Sequence, residues 1–452
     1  MVKEYSIEFL EQLQKIVAQK DAQGAIRLLE DFHPADIADL IEDMATEDAE
    51  FVLKLLDGDT AADVLVEMEE GSRHEMLEHM DNEDIAKHLE HLDSDDEVDI
   101  IQELDEEDQA EIIANMGDME QDGDIIDLMR YDEDTAGGIM GTEMVVVNEN
   151  WSMPECVKEM RIQAEDKDEI YNVYVVDDDH RLKGVLPIRK LITHPSAEKI
   201  KYVMEDDPVM ARHDMPIDEV AVIFEKYDRA AIPVVDQIGR LLGRITFDDV
   251  MDRVREHTER DYQLASGISE DVETTDSLFT QTRARLPWLL IGIFGGLGSA
   301  AILGKFESGF ITNPSMALFI PLIGATGGNV GIQSSAIVVQ GLANGTLALG
   351  RTWRHVLKEF GVGLVNAIII SLIVFGYNCV MLDPKSPTTL AVAISLFVLV
   401  MFASLFGTIV PLMLERFKID PALATGPFIT ITSDVIGVLI YMIMASTIMG
   451  MF

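Results

Sequence analysis

Apolar positions in the first 130 residues recur on a step of about twelve: Leu40, Leu53, Leu65, Leu77, Leu89, Ile101, Ile113 and Ile125. Residues that favour helix starts, Thr46, Asp59, Ser72, Asn82 and Ser94, fall between them on nearly the same step. The pattern predicts short amphipathic helices, each too small to bury its own apolar face. Neighbours must therefore stack, which gives an all-α superhelical domain. From Tyr131 the period changes to alternation. Strands are expected over 144–147, 171–176 and 181–186 with a helix at 153–163, then a helix at 217–227, strands at 231–235 and 240–246, and a helix from Asp248. The segments YVVDDDHRLKGVL and PVVDQIGRLLGRI are two copies of one strand–acidic turn–strand unit.

Beyond a polar connector the pattern changes again. Five apolar runs, near 286–303, 314–342, 360–381, 390–414 and 422–448, are each near or above the ~20 residues that cross a bilayer. Arg283, Arg285, Arg351, Arg354, Lys358, Arg416 and Lys418 flank the ends on one side, and only Lys305 and Lys385 flank the other. That asymmetry predicts an N-terminal half in the cytosol and a C-terminus outside the cell membrane. The start, MVKEYSIEFL, has no apolar run after a basic segment, so no signal peptide is expected.

Charge sharpens this division. The chain carries 34 Lys/Arg and 81 Asp/Glu, yet from Gln281 onward there are nine basic and six acidic residues. The first 280 residues thus hold a balance of −50. Phosphate would be repelled, so nucleic acid is excluded as a partner, and metal cations are the natural counterions; plain solvation of an acidic surface is the alternative. Cys156 and Cys379 suggest neither a disulfide framework nor a metal cage. The sequence offers no Ser/His/Asp arrangement, phosphate loop or His/Cys cluster, and an enzyme is not expected.

Within the last apolar run stands Asp434, an acid near the middle of a membrane span, which ordinarily faces a water-filled path or a partner. Pro427 in the same run is expected to free a carbonyl one turn back, adding an oxygen ligand beside Asp434. An oxygen-only site favours hard cations such as Mg²⁺ or Ca²⁺. A two-fold dimer would bring two Asp434 side chains around one axis. The second run contains PLIGATGGNVGIQSSAIVVQG, where Gly327 and Gly328 let helices approach closely and Asn329, Gln333, Ser334 and Ser335 need polar partners.

The paired strand units resemble cystathionine-β-synthase (CBS) domains, regulatory modules that bind adenine nucleotides. In that family a Gly-x-x-Thr-x-x-Asp run contacts phosphate and ribose, and the second copy has Gly243, Thr246 and Asp249 in this order. The first copy has Pro187 and Lys190 at the matching places, and a Lys cannot accept from ribose hydroxyls, so ATP binding is expected to be weak or absent. DTAGGIM (134–140), the CBS pair, RLPWL (285–289), TGGNVGIQS (326–334), DPAL (420–423) and SDVIGVLIY (433–441) together resemble the MgtE magnesium transporter family over essentially the whole chain.

The resemblance implies a helical N-domain (1–130), CBS domains at 131–200 and 201–255, a connecting plug helix (256–281) and a five-helix pore domain (282–452). It implies a homodimeric, passively conducting Mg²⁺ channel. Asp434 would lie in its pore and Asp420 at its cytoplasmic mouth. Regulatory Mg²⁺ would bind among Asp63, Asp96, Asp99, Asp228, Asp249, Asp252, Glu256 and Glu259, although Arg253, Arg255 and Arg260 make the connector less acidic than the family pattern. Two other readings stay open: an ion-coupled carrier of divalent metals such as Co²⁺, and a CBS-regulated anion channel, which Asp434 disfavours.

Overall fold

The computed structural model describes residues 7–450 apart from 43, 117–118, 165–169, 195–197, 271, 273–276, 344–346, 348–351 and 383–385; the flanking Arg351 and Lys385 thus lie outside the described residues. The chain forms two compact units, Met1–Glu256 and His257–Phe452.

The first unit opens with short helices: α1 (Ile7–Ala18), α2 (Ala22–Leu29), α3 (Pro34–Glu42), α4 (Thr46–Leu53), α5 (Gly58–Glu67), α6 (Glu70–Leu77), α7 (Asn82–Leu89), α8 (Ser94–Gln102), α9 (Glu106–Asn115) and α10 (Met119–Leu128). Leu53, Leu65, Leu77, Leu89 and Ile101 are all fully buried, as the apolar repeat requires. Much of the packing skips one helix: α5 lies on α3 and α7, α7 on α9, α4 on α6 and α8 on α10, while α1 also meets α2 and α4, α3 meets α4 and α8 meets α9.

The residues expected as caps sit one to three positions too late. The N-caps of α4 to α9 are Ala45, Asp57, Glu69, Asp81, Asp93 and Asp105, an unbroken step of twelve. Asp57 accepts from Thr60 N–H and Asp105 from Glu107 and Asp108 N–H, so the orphan donors of the first turn are satisfied. Thr46, Asn82 and Ser94 are instead the first helical residues, and Asp59 and Ser72 lie inside the first turn. Polar residues suit both places, which is why spacing alone misplaced them.

Two small sheets follow. In the first, β1 (Val145–Asn148) runs parallel to β2 (Val173–Val176), which pairs antiparallel with β3 (Leu182–Leu186), with β4 (Glu205–Asp206) on the edge. In the second, β5 (Ala211–Arg212) is parallel to β6 (Ala231–Val235), which is antiparallel to β7 (Leu241–Thr246). Helices α11 (Met153–Gln163), α12 (Ile188–Thr193) and α13 (Ile217–Tyr227) cover them, and α14 (Phe247–Ser266) leads away. The two acidic turns are built alike. Asp177 accepts from Asp179 and Arg181 N–H, and Asp236 from Ile238 and Arg240 N–H. His180 (φ 59°) and Gly239 (φ 85°) hold the equivalent left-handed position. The turns also bond each other reciprocally, Leu182 N–H to Gly239 O at 2.9 Å and Leu241 N–H to His180 O at 3.0 Å. The internal repeat of the sequence is thus a local two-fold in the structure.

Among the described residues, the second unit holds five helices long and apolar enough to cross a membrane. They are α15 (Leu278–Lys305), α17 (Ile320–Ala343) extended by a 3-10 turn at Pro314–Phe319, α18 (Thr352–Met381), α19 (Pro387–Arg416) and α20 (Gly426–Met449); the short α16 (Glu307–Thr312) follows α15. Helix α19 is central, packing on α17, α18 and α20. Leu399 of α19 serves two neighbours at once: a Cβ added to Gly327 or to Gly437 would come within 3.1 Å of its Cδ1. The fifth span begins at Gly426, four residues later than the apolar run, because Pro421–Ala424 form a separate 3-10 turn and Gly426 takes a positive φ of 40°.

Candidate cation sites

Asp434 sits two turns into α20, opposite Gly324 and Gly328 of α17. A Cβ on either glycine would stand 3.6 Å from Asp434 Oδ1, so these two positions leave room beside the carboxylate. Asp434 Oδ1 is shielded from solvent and has no hydrogen-bond partner, and the same holds for Ser433 Oγ. An unpartnered carboxylate oxygen at membrane depth is costly, and a cation or its waters would relieve that cost.

The neighbouring expectations fare unequally. Gly327 packs on Leu399, while Gly328 also approaches Thr430. Asn329 is exposed on the single chain, as is Gln333 one turn on. Asp420 accepts from Ala422 N–H at 2.7 Å and caps the 3-10 turn before α20. Pro427 does not free a carbonyl inside a helix. It lies in the first turn of α20, where its missing N–H would have had no helical acceptor anyway. Oxygen ligands beside Asp434 from that source are therefore ruled out.

One acid of the second unit escaped the sequence reading. Glu359 of α18 accepts from Ser334 Oγ of α17 at 2.7 Å and from Ser404 Oγ of α19 at 3.1 Å, linking three helices. Beside Lys358 it reads as an ordinary polar flank, and only the fold brings the two serines to it.

In the first unit the acids gather where α8 meets the CBS strands and the start of α14. Burial and then the charges of Asp249, Asp99 and Asp93 push the Asp96 carboxyl up to about 7. Burial pushes Asp99 to about 6, against the pull of Arg253, whose guanidinium pairs with both Asp99 and Glu256. Asp252 is also raised, by burial and then by Glu256, Asp248 and Asp249. Desolvation and then the charges of Asp252 and Asp63 raise the Glu67 carboxyl, against the pull of His33. Asp249 accepts from Thr246 N–H at 2.9 Å in the cap of α14, so the pair expected to meet a nucleotide already serves the helix start. Asp228 ends α13 in the left-handed conformation, φ 49°. Glu259 lies further along α14, in the second unit.

The tightest group was not anticipated. One oxygen each from Asp93, Asp95 and Glu143 lies within 4.8 Å of the others, a spacing at which they could hold a metal ion. Asp95 Oδ1 is buried without a partner, and burial followed by Asp249, Asp96, Glu143 and Asp93 holds its carboxyl well above the usual range. Arg244 pairs with Asp93 at 2.8 Å and donates to Glu143 O at 2.6 Å; Ser94 Oγ donates to Glu143 at 3.1 Å. In sequence, 93–96 reads as the acidic first turn of a helix, and Glu143 stands 47 residues past the run. Their meeting is a tertiary fact. Lys190 of the first CBS copy donates to Val203 O at 2.8 Å and faces Glu205 at 3.5 Å.

Comparison with known proteins accords with this layout. The sequence matches the families described as MgtE, divalent cation transporter, over residues 320–444, as MgtE intracellular N domain over 32–134, and as CBS domain over 136–196 and 200–256. It is 36% identical to "Magnesium transporter MgtE" of Thermus thermophilus over 443 residues, 96% of this chain and 97% of that one. The protein of the same name from Bacillus subtilis is 31% identical over 70% of this chain and 69% of its own. The solved "cytosolic domain of the Mg2+ channel MgtE in complex with ATP" is 34% identical with a TM-score of 0.51, covering 54% of this chain and 99% of that structure. With both halves matched in order along nearly its full length, this chain belongs to the MgtE family of divalent cation transporters.

Proposed function

We propose that this protein passes Mg²⁺ down its gradient across the cell membrane, through a pore built by two copies of the chain and closed when cytosolic Mg²⁺ binds the soluble half. The observation that carries the reading is the buried, unpartnered Asp434 Oδ1 beside Gly324 and Gly328 in an apolar span. Mg²⁺ gives up its waters reluctantly, so a carboxylate holds it through them and needs the room that Gly324 and Gly328 leave. Two copies about a two-fold axis supply two such carboxylates, which suits a divalent ion better than one. Asp420 stands at the cytoplasmic mouth, with the soluble domains inside and the C-terminus outside. The domain limits are those expected from the sequence: 1–130, 131–200, 201–255, 256–281 and 282–452.

Regulation follows from the acids of the first unit. Asp93, Asp95 and Glu143, with Asp96, Asp99, Asp249, Asp252 and Glu256 around them and Asp63, Asp228 and Glu259 further off, repel one another unless protonated or bridged. Bound Mg²⁺ joins such carboxylates while keeping several waters. At tenfold excess over its dissociation constant, each site adds roughly 1.4 kcal/mol to the packed state. Nucleotide binding is weak, because Lys190 is engaged with Val203 and Glu205 and offers no ribose acceptor.

Isotope or fluorescence flux into vesicles tests the conduction reading. Mg²⁺ uptake that needs no proton or sodium gradient and disappears in Asp434→Asn is the expected result. Uptake that follows an imposed pH gradient would mark a coupled carrier instead.

A further inference from the structure

The carboxylate of Glu359 stands two turns into α18, where one of its atoms ties three spans together. Oε1 accepts from Ser334 Oγ of α17 at 2.7 Å and from Ser404 Oγ of α19 at 3.1 Å, and both serines are buried. An ionisable group within a membrane bundle ordinarily turns to the interior and pairs there, and hydrogen bonds between spans do the holding that the hydrophobic effect cannot do in lipid. Small residues make the reach possible. A Cβ on Gly363, one turn along α18, would fall 2.8 Å from Ser404 Oγ, and a Cβ on Gly407 of α19 would fall 2.3 Å from Gly331 O of α17. At this level α17 and α19 meet backbone to backbone, with the Glu359 carboxylate fastened across them.

The clamp is continuous with the surroundings of Asp434. Gly331 precedes Ser334 by one turn, and a Cβ there would fall 2.5 Å from Ile429 Cγ2 and 3.2 Å from Ser433 Oγ of α20. Ser433 is the residue before Asp434, and Gly328, a further turn back on α17, lies beside the Asp434 carboxylate. From Ser334 to Gly328 is about 9 Å of helix. A slide of α17 by one residue's rise, about 1.5 Å, would carry Gly324 and Gly328 off the carboxylate. We propose that Glu359 is a positioning residue for Mg²⁺ conduction: by gripping Ser334 and Ser404 it fixes α17 on α19 and keeps the two glycines level with Asp434. The role needs an acceptor rather than a charge, and Glu359 itself meets no ion. This rests on Asp434 lying in the ion path, so Asp434→Asn is assayed alongside.

The test separates acceptor from charge. Flux into vesicles is measured over a range of Mg²⁺ concentrations and divided by the amount of assembled protein. Glu359→Ala leaves two buried hydroxyls without their acceptor. It is expected to raise the half-saturating Mg²⁺ concentration about fivefold, a change of about 1 kcal/mol. Glu359→Gln keeps an oxygen that can accept from both serines, and its half-buried position leaves the new amide hydrogens access to water. Half-saturation in that variant should stay within about twofold of wild type. A merely structural role predicts less assembled protein with an unchanged half-saturating concentration, and that result would overturn the proposal. So would a Glu359→Gln variant as impaired as Glu359→Ala, since the charge would then be what matters. If Glu359→Ala does not reach the membrane, Ser334→Ala takes its place. It removes the donor that ties α17 and should raise half-saturation about threefold; an unshifted value opposes the clamp. Wild-type flux in Asp434→Asn would sink the ion path instead, whatever the Glu359 variants show.

Discussion

In the first unit the acidic cluster comes with its own cations: Arg244 pairs with Asp93, and Arg253 with Asp99 and Glu256. In the second unit Asp434 faces the backbones of Gly324 and Gly328, and no basic side chain pairs with it among the described residues. Both sets of carboxylates lose water, yet only one receives a built-in counter-charge. The two arginines offset only part of the soluble acids' charge, so a cation arriving there would alter the balance of a packed cluster. The membrane acid has no resident partner to displace. In the proposed pore, a passing ion would meet it and leave again without breaking an ion pair.

The largest expected effect removes the unpaired charge. Asp434→Asn keeps the shape of α20 and should cut Mg²⁺ flux by about a hundredfold or more, the loss of an interaction worth at least roughly 2.7 kcal/mol. Thermal stability should hold or rise. Flux within a factor of two of wild type would refute the contrast.

Gly324→Ala sharpens the same side. The new methyl would meet nothing within 4 Å except the Asp434 carboxyl. Flux should fall about tenfold while the helix gains up to about 1 kcal/mol of intrinsic preference. A variant both more stable and fully conducting would show that the glycine serves packing alone.

On the paired side, pH and Mg²⁺ should compete. The packed state holds Asp96 near 7 and Asp99 near 6, above the ordinary carboxylate value of 3.8. Packed protein therefore binds more protons than unfolded protein, and this stability is present at low pH and lost as pH rises through 6 to 7. Without divalent ions the melting temperature of the soluble half should drop between pH 6 and pH 8. Millimolar Mg²⁺ should restore more at pH 8 than at pH 6, and ionic-strength-matched NaCl should not. Equal restoration by both salts would reduce the cluster to a solvated acidic face. Limited proteolysis around Arg253–Arg260 gives an independent reading, with protection expected from Mg²⁺ only.

The smallest effect concerns nucleotide. Lys190→Asp should strengthen ATP binding by calorimetry, and micromolar affinity in the unmodified protein would contradict the reading.

Periodicity carried much of this architecture. Leu53, Leu65, Leu77, Leu89 and Ile101 became the core of the helical array because a step of twelve leaves no other way to bury them. The two strand–turn–strand copies were readable for the same reason, since repeated side chains impose repeated turns. The misjudged points share a cause. Pro427 looked like a helix breaker because an apolar run hides where a helix begins; Gly426, with its positive φ, marks the start. Asp434 was visible alone, since one acid in an apolar span stands out. Asp95 was not, because an acidic first turn is the ordinary beginning of a helix, and its burial against Glu143 and Asp249 depends on chain remote in sequence.

The twelve-residue step has a consequence for how the array can change length. Because α5 packs on α3 and α7, α7 on α9, α4 on α6 and α8 on α10, removing one unit would exchange these second-neighbour partners. Apolar residues suited to one neighbour would then face another. Removing two units, 24 residues, keeps odd helices with odd and even with even along these pairings. The period of the sequence is twelve, but the quantum of tolerated insertion or deletion in this domain is twice that.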